Sequence, residues 1–361
     1  MAVHPPYRIA RRLISPLVTL VLALILADIA WHFFSWAVLH AVWRLPENAA
    51  QAPDTDLCRA AIGHGACWAV VREKFRFILF GFYPYDAQWR PALAVLCFVT
   101  LFGLSIAPRF WRPSLILLWI AVLAAVGVLM WGGVFGLSFV AADQWGGLPI
   151  TLILATFGLA AAFPLAILVA LARRAEGLPV IRMLAIAYVE LIRGVPLISL
   201  LFMANVMLPL FLPTGWDIDK LLRAQLAFVL FAGAYLAEVV RAGLSALPLG
   251  QYEAAAALGL SYWQKTRLIV LPQALRHVIP MLVNTFIGFF KDTSLVLIIG
   301  IFDLMTTGRT ATLEPAWQGF GNEVYLLLAA IYFAFCFTMA QISRTLERRL
   351  AAPHRDIEEP A

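Results

Sequence analysis

Charge is scarce in this chain. Only 13% of its 361 residues are Asp, Glu, Lys or Arg, while 62% are hydrophobic and the mean hydropathy is +0.85. Soluble domains carry about 25% charged residues, so this much apolar surface has no way to be buried in water. A free-floating enzyme and a disordered chain are both excluded. Cysteine is equally sparse, at four, which rules out a disulfide-stapled mini-protein. Chemistry-bearing motifs are missing too. Lys265 is the only Lys followed directly by Thr or Ser, and Gln264 stands where the phosphate-cradling GxxxxGK[ST] loop requires Gly. Neither HExxH, GxSxG nor a metal-spaced His cluster occurs, so an intramembrane enzyme has no catalytic set here.

Long apolar runs fill the space. A helix crossing a hydrocarbon core about 30 Å thick needs about 20 such residues. Eight stretches qualify: 16–39, 90–107, 114–136, 148–172, 195–212, 224–240, 278–301 and 324–343. The third, fourth, fifth and eighth contain no charge. The first follows Arg8, Arg11 and Arg12 as a signal peptide would, but it is too long, contains Asp28 and His32, and lacks a small-x-small cleavage site. It reads as a retained helix. With the N-terminus inside, 17 of the 27 Lys and Arg fall in inner segments, nine in outer ones and Lys291 within a span. An even number of spans then places both termini in the cytoplasm, and the net charge of +6 reflects the same bias rather than a nucleic-acid surface.

The expected fold is therefore an all-α membrane protein of about eight transmembrane helices. Composition shifts near residue 147. Residues 1–147 hold three spans and a long outer loop, 148–345 hold five spans with recurring polar positions, and 346–361 form a short polar tail. In the outer loop an oxidising compartment allows Cys58 and Cys67 to close a disulfide, whereas a zinc site with His64 has poor ligand spacing. That loop ends in Phe75, Phe77, Phe80, Phe82, Tyr83, Tyr85 and Trp89, an aromatic belt or interfacial element.

The segment 246–277, between the sixth and seventh spans, is the most informative. Pro248 opens a helix, and Glu253 with the following alanines are strong helix formers near its N-terminus. Gly259 suits a left-handed stop. Ser261 and Gln264 then form a capping box for a second helix, which Pro272 is expected to end before the chain re-enters the bilayer. A small-residue helix lets a partner's backbone approach closely.

Glu253-Ala254-Ala255, then Gly259, then Ile269-x-Leu271-Pro272 resembles the EAA loop of ABC importer membrane subunits. Further stretches are similar to polar amino-acid permeases, the histidine/glutamine permease family: Tyr188-x-Glu190-x-x-Arg193-Gly194-Val195-Pro196-Leu197, Tyr235-x-x-Glu238-x-x-Arg241-x-Gly243, Gly250-Gln251 and Phe290-Lys291-Asp292-Thr293-Ser294-Leu295. Val195 departs from the family's usual Thr. The resemblance covers about 148–345, and the three extra spans look like the larger general L-amino-acid permease subunits of the AapM type. It implies a five-helix permease core after a three-helix extension in a bacterial inner membrane. It also implies a periplasmic amino-acid-binding protein, a related second permease subunit and two ATPase subunits that carry ATP and Mg, with no cofactor on this chain. The segment 246–277 would dock on an ATPase and receive its movement.

Ionisable residues inside hydrocarbon are costly and usually face the bundle interior or a cavity. Lys291 and Asp292 fall near the middle of the seventh stretch and, being adjacent, point about 100° apart. Glu190 with Arg193, and Glu238 with Arg241, are three apart and can pair on one helical face. Two readings stand: ion pairs that lock the bundle, or a pathway complementary to an amino acid's ammonium and carboxylate, with Thr293 and Ser294 adding neutral hydrogen bonds. Asp28 and His32, four apart with His40 beyond, read as a pair satisfied against neighbouring helices rather than a proton relay or metal site. Gly132 and Gly136 form a GxxxG that suggests a close helix contact. The alternatives to a binding-protein-dependent importer are an ion-coupled secondary transporter using Lys291, Asp292 and Asp28, and a membrane scaffold whose outer loop binds a partner.

Overall fold

The computed structural model describes residues 7–46, 55–110, 112–213, 215–216 and 218–355. Fifteen α-helices and a two-residue strand, β1 (Phe302–Asp303), are found among them. Seven helices are long and apolar enough to cross a membrane, or eight segments if one sharply bent pair is a single span.

The chain divides into two compact units. The first comprises Met1–Phe75 and Ala311–Leu327. It contains α1 (Tyr7–Phe34) and the short α2 (Asp56–Ala61), and the start of α3 (Ala69–Phe80). Cys58 and Cys67 are joined as a disulfide, and Cys67 donates its backbone N–H to Glu323 Oε1 at 2.8 Å. Trp43 stacks on Trp68, whose indole donates to Ala37 O, and Lys74 pairs with Glu314 at 2.5 Å. On α1, Asp28 and His32 lie 3.6 Å apart, but their side chains are more than 70% exposed. The expectation that neighbouring helices of the chain satisfy them is corrected: among the described residues this i,i+4 pair on the open face of α1 has no further ion-pair partner.

The second unit comprises Arg76–Thr310 and Leu328–Ala361. Its first hairpin is α4 (Trp89–Ile106) and α5 (Ser114–Trp131). Arg90 is buried with no carboxylate partner among the described residues and donates to the carbonyls of Leu129, Met130 and Ser138, so a cation sits at the negative end of α5. Gly132 and Gly136 both have positive φ and lie beyond that helix. They form no GxxxG face. A Cβ on Gly132 would meet Ser138 O at 2.1 Å and the Arg90 guanidinium at 2.4 Å, which is why glycine turns the chain there.

The packed centre is α6 (Gly147–Ala172) against α10 (Lys220–Ala246), with α13 (Leu271–Asp292) and α7 (Pro179–Gly194) on its flanks. Glycines permit these approaches. Gly243 on α10 faces Ala274 O, where an added Cβ would sit at 2.6 Å. The fifth expected span begins at a sharp break. After α7 the chain bends by 102°, then runs through α8 (Leu197–Phe202), a π-helical turn at Met203–Met207 and α9 (Leu208–Phe211). Pro196 forces the break, because it excludes the helical region for Val195, which is extended at φ −107° and ψ 132°.

Two further expectations about boundaries change. Pro272 does not end a helix. The chain continues from α12 (Tyr262–Lys265) through a π turn at Thr266–Val270 into α13, and then through a 3₁₀ stretch to Ile299. Leu271 N–H bonds Thr266 O in the wider π ring, and Gln273 Nε2 donates to Ile269 O, so the helix runs on past the proline. The last helix, α15 (Gly321–Arg355), likewise runs beyond 343, so the expected tail starts as helix; residues 356–361 lie outside the described residues. Before it, α14 (Leu304–Ala311) is capped by Asp303, which accepts from Met305 N, Thr306 N and Thr306 Oγ1 and lies 3.4 Å from Tyr332 Oη. Burial pushes the Asp303 carboxyl above the usual carboxylate range, against the pull of those hydrogen bonds.

Candidate coupling site

Between α10 and α13 the chain makes a helical knuckle. α11 (Leu249–Ala257) begins after Pro248 and ends in a Schellman turn: Leu260 N–H bonds Ala255 O and Gly259 N–H bonds Ala256 O. Gly259 takes φ +72°, as that turn requires, and a Cβ there would meet nothing within 4 Å. Ser261 caps α12, with Gln264 N–H bonding Ser261 Oγ and Ser261 N–H bonding Gln264 Oε1. The capping box is thus formed as the sequence indicates. Glu253 sits one turn later than the helix dipole would reward and is exposed. Ala255 is the inward face of α11, whereas Ala254 points outward. Ile269 and Leu271 are half-buried, and Pro272 is exposed.

The knuckle carries a surface that water does not favour. Leu249, Leu258, Tyr262, Trp263 and Leu268 are all exposed, Leu258 to 76% and Trp263 to 66%. Large apolar side chains gathered on one polar-rimmed segment mark a protein interface.

Three contacts tie the knuckle to the spans. Tyr252 Oη donates to Leu244 O at 2.8 Å and accepts from Arg174 Nη1 at 2.9 Å. Arg174 Nη1 also reaches Leu244 O at 2.8 Å, and its guanidinium lies over the Tyr252 ring. Gln273 on α13 donates to Gln251 Oε1 at 3.1 Å. One residue away, Arg173 at the C-terminus of α6 bonds Glu238 at 2.6 Å on α10 and lies 3.5 Å from Glu190 on α7. Glu238 is also paired with Arg241. The sequence reading brought Glu238 and Arg241 together correctly, but Glu190 pairs with Arg173 instead of Arg193. Arg193 lies over the Tyr235 ring, 5.4 Å from its centroid. Sequence reasoning places Arg173 only among the inner-side charges; its position directly after an uncharged 25-residue run is the available clue, since a helix-end cation is placed to bridge to neighbours.

These charges gather at the knuckle's end of the bundle, where α6 ends and α10 enters the knuckle. Lys291 and Asp292 do not join them. They close the last turn of α13, about 28 Å along the helix from Pro272 at 1.5 Å per residue, and fall near the middle of the 278–301 stretch, which continues as 3₁₀ helix to Ile299. Lys291 is exposed and Asp292 half-buried. The hydroxyls of Thr293 and Ser294 donate to Phe290 O and Lys291 O, so they serve their own helix first. No cluster of three or more His, Cys, Asp or Glu suited to a metal occurs among the described residues.

Against known proteins, residues 162–352 match the family described as "Binding-protein-dependent transport system inner membrane component". The chain is 48% identical over 321 residues to the inner membrane amino-acid ABC transporter permease protein YhdY of Escherichia coli (strain K12), covering 87% of this chain and 83% of that protein. It is 38% identical over 389 residues to the glutamate/glutamine/aspartate/asparagine transport system permease protein BztC of Rhodobacter capsulatus, covering 88% and 86%. A crystal structure of an amino acid ABC transporter with histidines superposes with a TM-score of 0.50 at 32% identity, over 56% of this chain and 92% of the other.

Proposed function

The chain belongs to the family of inner-membrane components of binding-protein-dependent transport systems, and from that premise we propose that it moves L-amino acids inward as one of two related permease subunits. It is a multi-pass subunit without catalytic activity of its own, and ATP hydrolysis belongs to separate subunits. In this reading a loaded periplasmic binding protein docks on the outer face. Two ATPase subunits bind ATP and Mg on their own chains. Both termini of this chain lie in the cytoplasm, as its inner-side excess of Arg and Lys supports.

The observation that carries the coupling role is the exposed apolar knuckle, Leu249 to Leu268, rooted in the spans by Tyr252 and Gln273. An ATPase groove covers Leu258 and Trp263, and the small side chains of Ala254 and Ala256 admit its backbone. Glu253 and Gly259 shape the knuckle. Closure of the ATPases pulls on α11. Tyr252 passes the displacement to Leu244 at the end of α10 and to Arg174 beyond α6, while Ile269, Leu271 and Pro272 feed it into α13. Glu190, Arg193, Glu238 and Arg241 hold the inner ends of α7 and α10 through Arg173 and Tyr235, and so serve the inner closure of the pathway. Lys291, Asp292, Thr293 and Ser294 stand at its other end.

The test uses the complete complex in proteoliposomes with its binding protein. Gly259→Asp meets no steric barrier at that site, so the chain reaches the membrane, but the Schellman turn is strained and a charge enters the interface. Uptake is expected to fall at least about tenfold with loss of substrate-stimulated ATP hydrolysis. Normal uptake and normal stimulation in that variant would overturn the coupling role.

A further inference from the structure

Within the second unit, α4, α5, α6, α13 and α15 line a cleft of about 860 Å³ that none of the candidate coupling or pathway residues borders. Its walls are almost wholly apolar, with Phe102, Trp119, Phe163, Phe286 and Phe335 among them. A zwitterionic amino acid would find too few polar partners there, since unpaired charge in such surroundings is costly. The cleft runs along the helices from Leu152 to Pro164 on α6 and from Ala334 to Leu346 on α15. At 1.5 Å per residue each path is about 18 Å, close to one leaflet of a core about 30 Å thick.

One end is basic. Ile106 lines the cleft, and the exposed Arg109 and Arg112 follow it in the α4–α5 turn. Leu346 lines it on α15 and is flanked by the exposed Arg344 and Arg348. The carboxylate of that stretch, Glu347, is engaged by Ser343 Oγ at 2.7 Å. An apolar slot one leaflet deep, ending among four arginines, matches a lipid with an anionic head.

We propose that this cleft is a binding site for one anionic phospholipid, its acyl chains between α4, α6, α13 and α15 and its phosphate among Arg109, Arg112, Arg344 and Arg348. The chains gain little over bulk lipid, because hydrocarbon surrounds the protein anyway; selectivity comes from the head group. The site also gives the added helices α4 and α5 a purpose, since they supply one wall and two of the arginines. Placing it in the inner leaflet rests on the orientation proposed above, but the lipid count does not.

The experiment purifies the intact complex in mild detergent and counts bound phospholipid by native mass spectrometry. Phosphatidylglycerol competes with phosphatidylcholine in mixed micelles of equal composition. About one phosphatidylglycerol per copy of this chain is expected, with preference lowered roughly tenfold in R109Q/R112Q. Gly103→Phe, which fills the cleft from α4, is expected to remove the lipid while uptake measures whether the core still works. Equal retention of both lipids by the wild-type complex would overturn the proposal without any variant. So would cross-linking of Gly103→Cys to the second permease subunit, which would make the cleft a subunit interface. Loss of coupling in Gly259→Asp bears on neither outcome, so the two readings fail separately.

Discussion

Removing one oxygen atom tests how the knuckle is attached. In Tyr252→Phe the ring stays and keeps its place beneath the Arg174 guanidinium, but two hydrogen bonds vanish. One is neutral, to Leu244 O, and is worth about 1 kcal/mol; the other involves a charged donor and is worth about 1.5–3 kcal/mol. Both lie in a half-exposed setting, which argues for the lower part of those ranges. Arg174 still reaches Leu244 O, so the carbonyl is not orphaned. The tether should therefore weaken by roughly 2 kcal/mol while the spans, which do not depend on it, stay folded. Uptake and ATP hydrolysis are to be measured on the same proteoliposomes. The expected result is a ratio of substrate moved to ATP hydrolysed that falls severalfold, with unchanged expression and unchanged thermal stability. A fall in both rates with an unchanged ratio would mean that Tyr252 merely helps the chain fold. An unchanged ratio with unchanged rates would refute the tether.

Other perturbations separate the remaining parts. Glu238→Gln leaves Arg173 and Arg241 side by side without their shared carboxylate; about 1–3 kcal/mol of stability should be lost, read as a lower midpoint in detergent melting, and Arg173→Gln in the same background should restore part of it. Gly243→Ala drives a methyl group into Ala274 O and should cost about 1–3 kcal/mol in the same assay, whereas Gly250→Ala, with open space around it, should not. Reducing Cys58–Cys67 or replacing both by Ser should loosen the outer segment by about 2–3 kcal/mol, seen as faster proteolysis there with transport by the core unchanged in kind. For Asp303 the sign is set by its raised pKa. A carboxyl that binds its proton more tightly when folded contributes stability below the ordinary value near 3.8 and loses it as pH rises through the folded value. Asp303→Asn, which keeps an N-cap acceptor for Thr306 N–H, should flatten that part of the stability profile, and a profile unchanged in slope would refute it.

Much of the fold was legible because membrane solvation imposes one rule, a run of about 20 apolar residues per crossing. Seven of the eight expected stretches coincide with long helices. The failures have local causes that hydropathy does not register. Val195-Pro196 bends the chain by 102° where the fifth stretch begins, because proline restrains the residue before it, not because polarity changes. Pro272 acts in the opposite direction: instead of stopping the helix it sits in the first turn of α13, just after a π turn at Thr266–Val270 that carries the chain on from α12. Gly132 and Gly136 have the spacing of a helix contact, yet their backbone is left-handed, which spacing alone does not reveal.

The site divides the same way. The knuckle was readable because its parts are local: a helix former run, a glycine stop and a capping box all act within four residues of one another. The charge network was not, because Arg173, Glu190 and Glu238 come from three helices and meet only after α6, α7 and α10 pack. Spacing of three suggested Glu190 with Arg193, yet an i,i+3 pair on a helix is worth only about 0.2–0.5 kcal/mol. Arg173, 13% exposed and facing two carboxylates, offers Glu190 a better-desolvated partner, and Arg193 is left to the face of Tyr235. Tertiary geometry thus decides which of two weak local pairings survives. The charges it gathers lie beside Leu244 and Tyr252, where a displacement of the knuckle is felt first. A substitution in that network should accordingly disturb coupling before it disturbs recognition of any particular amino acid.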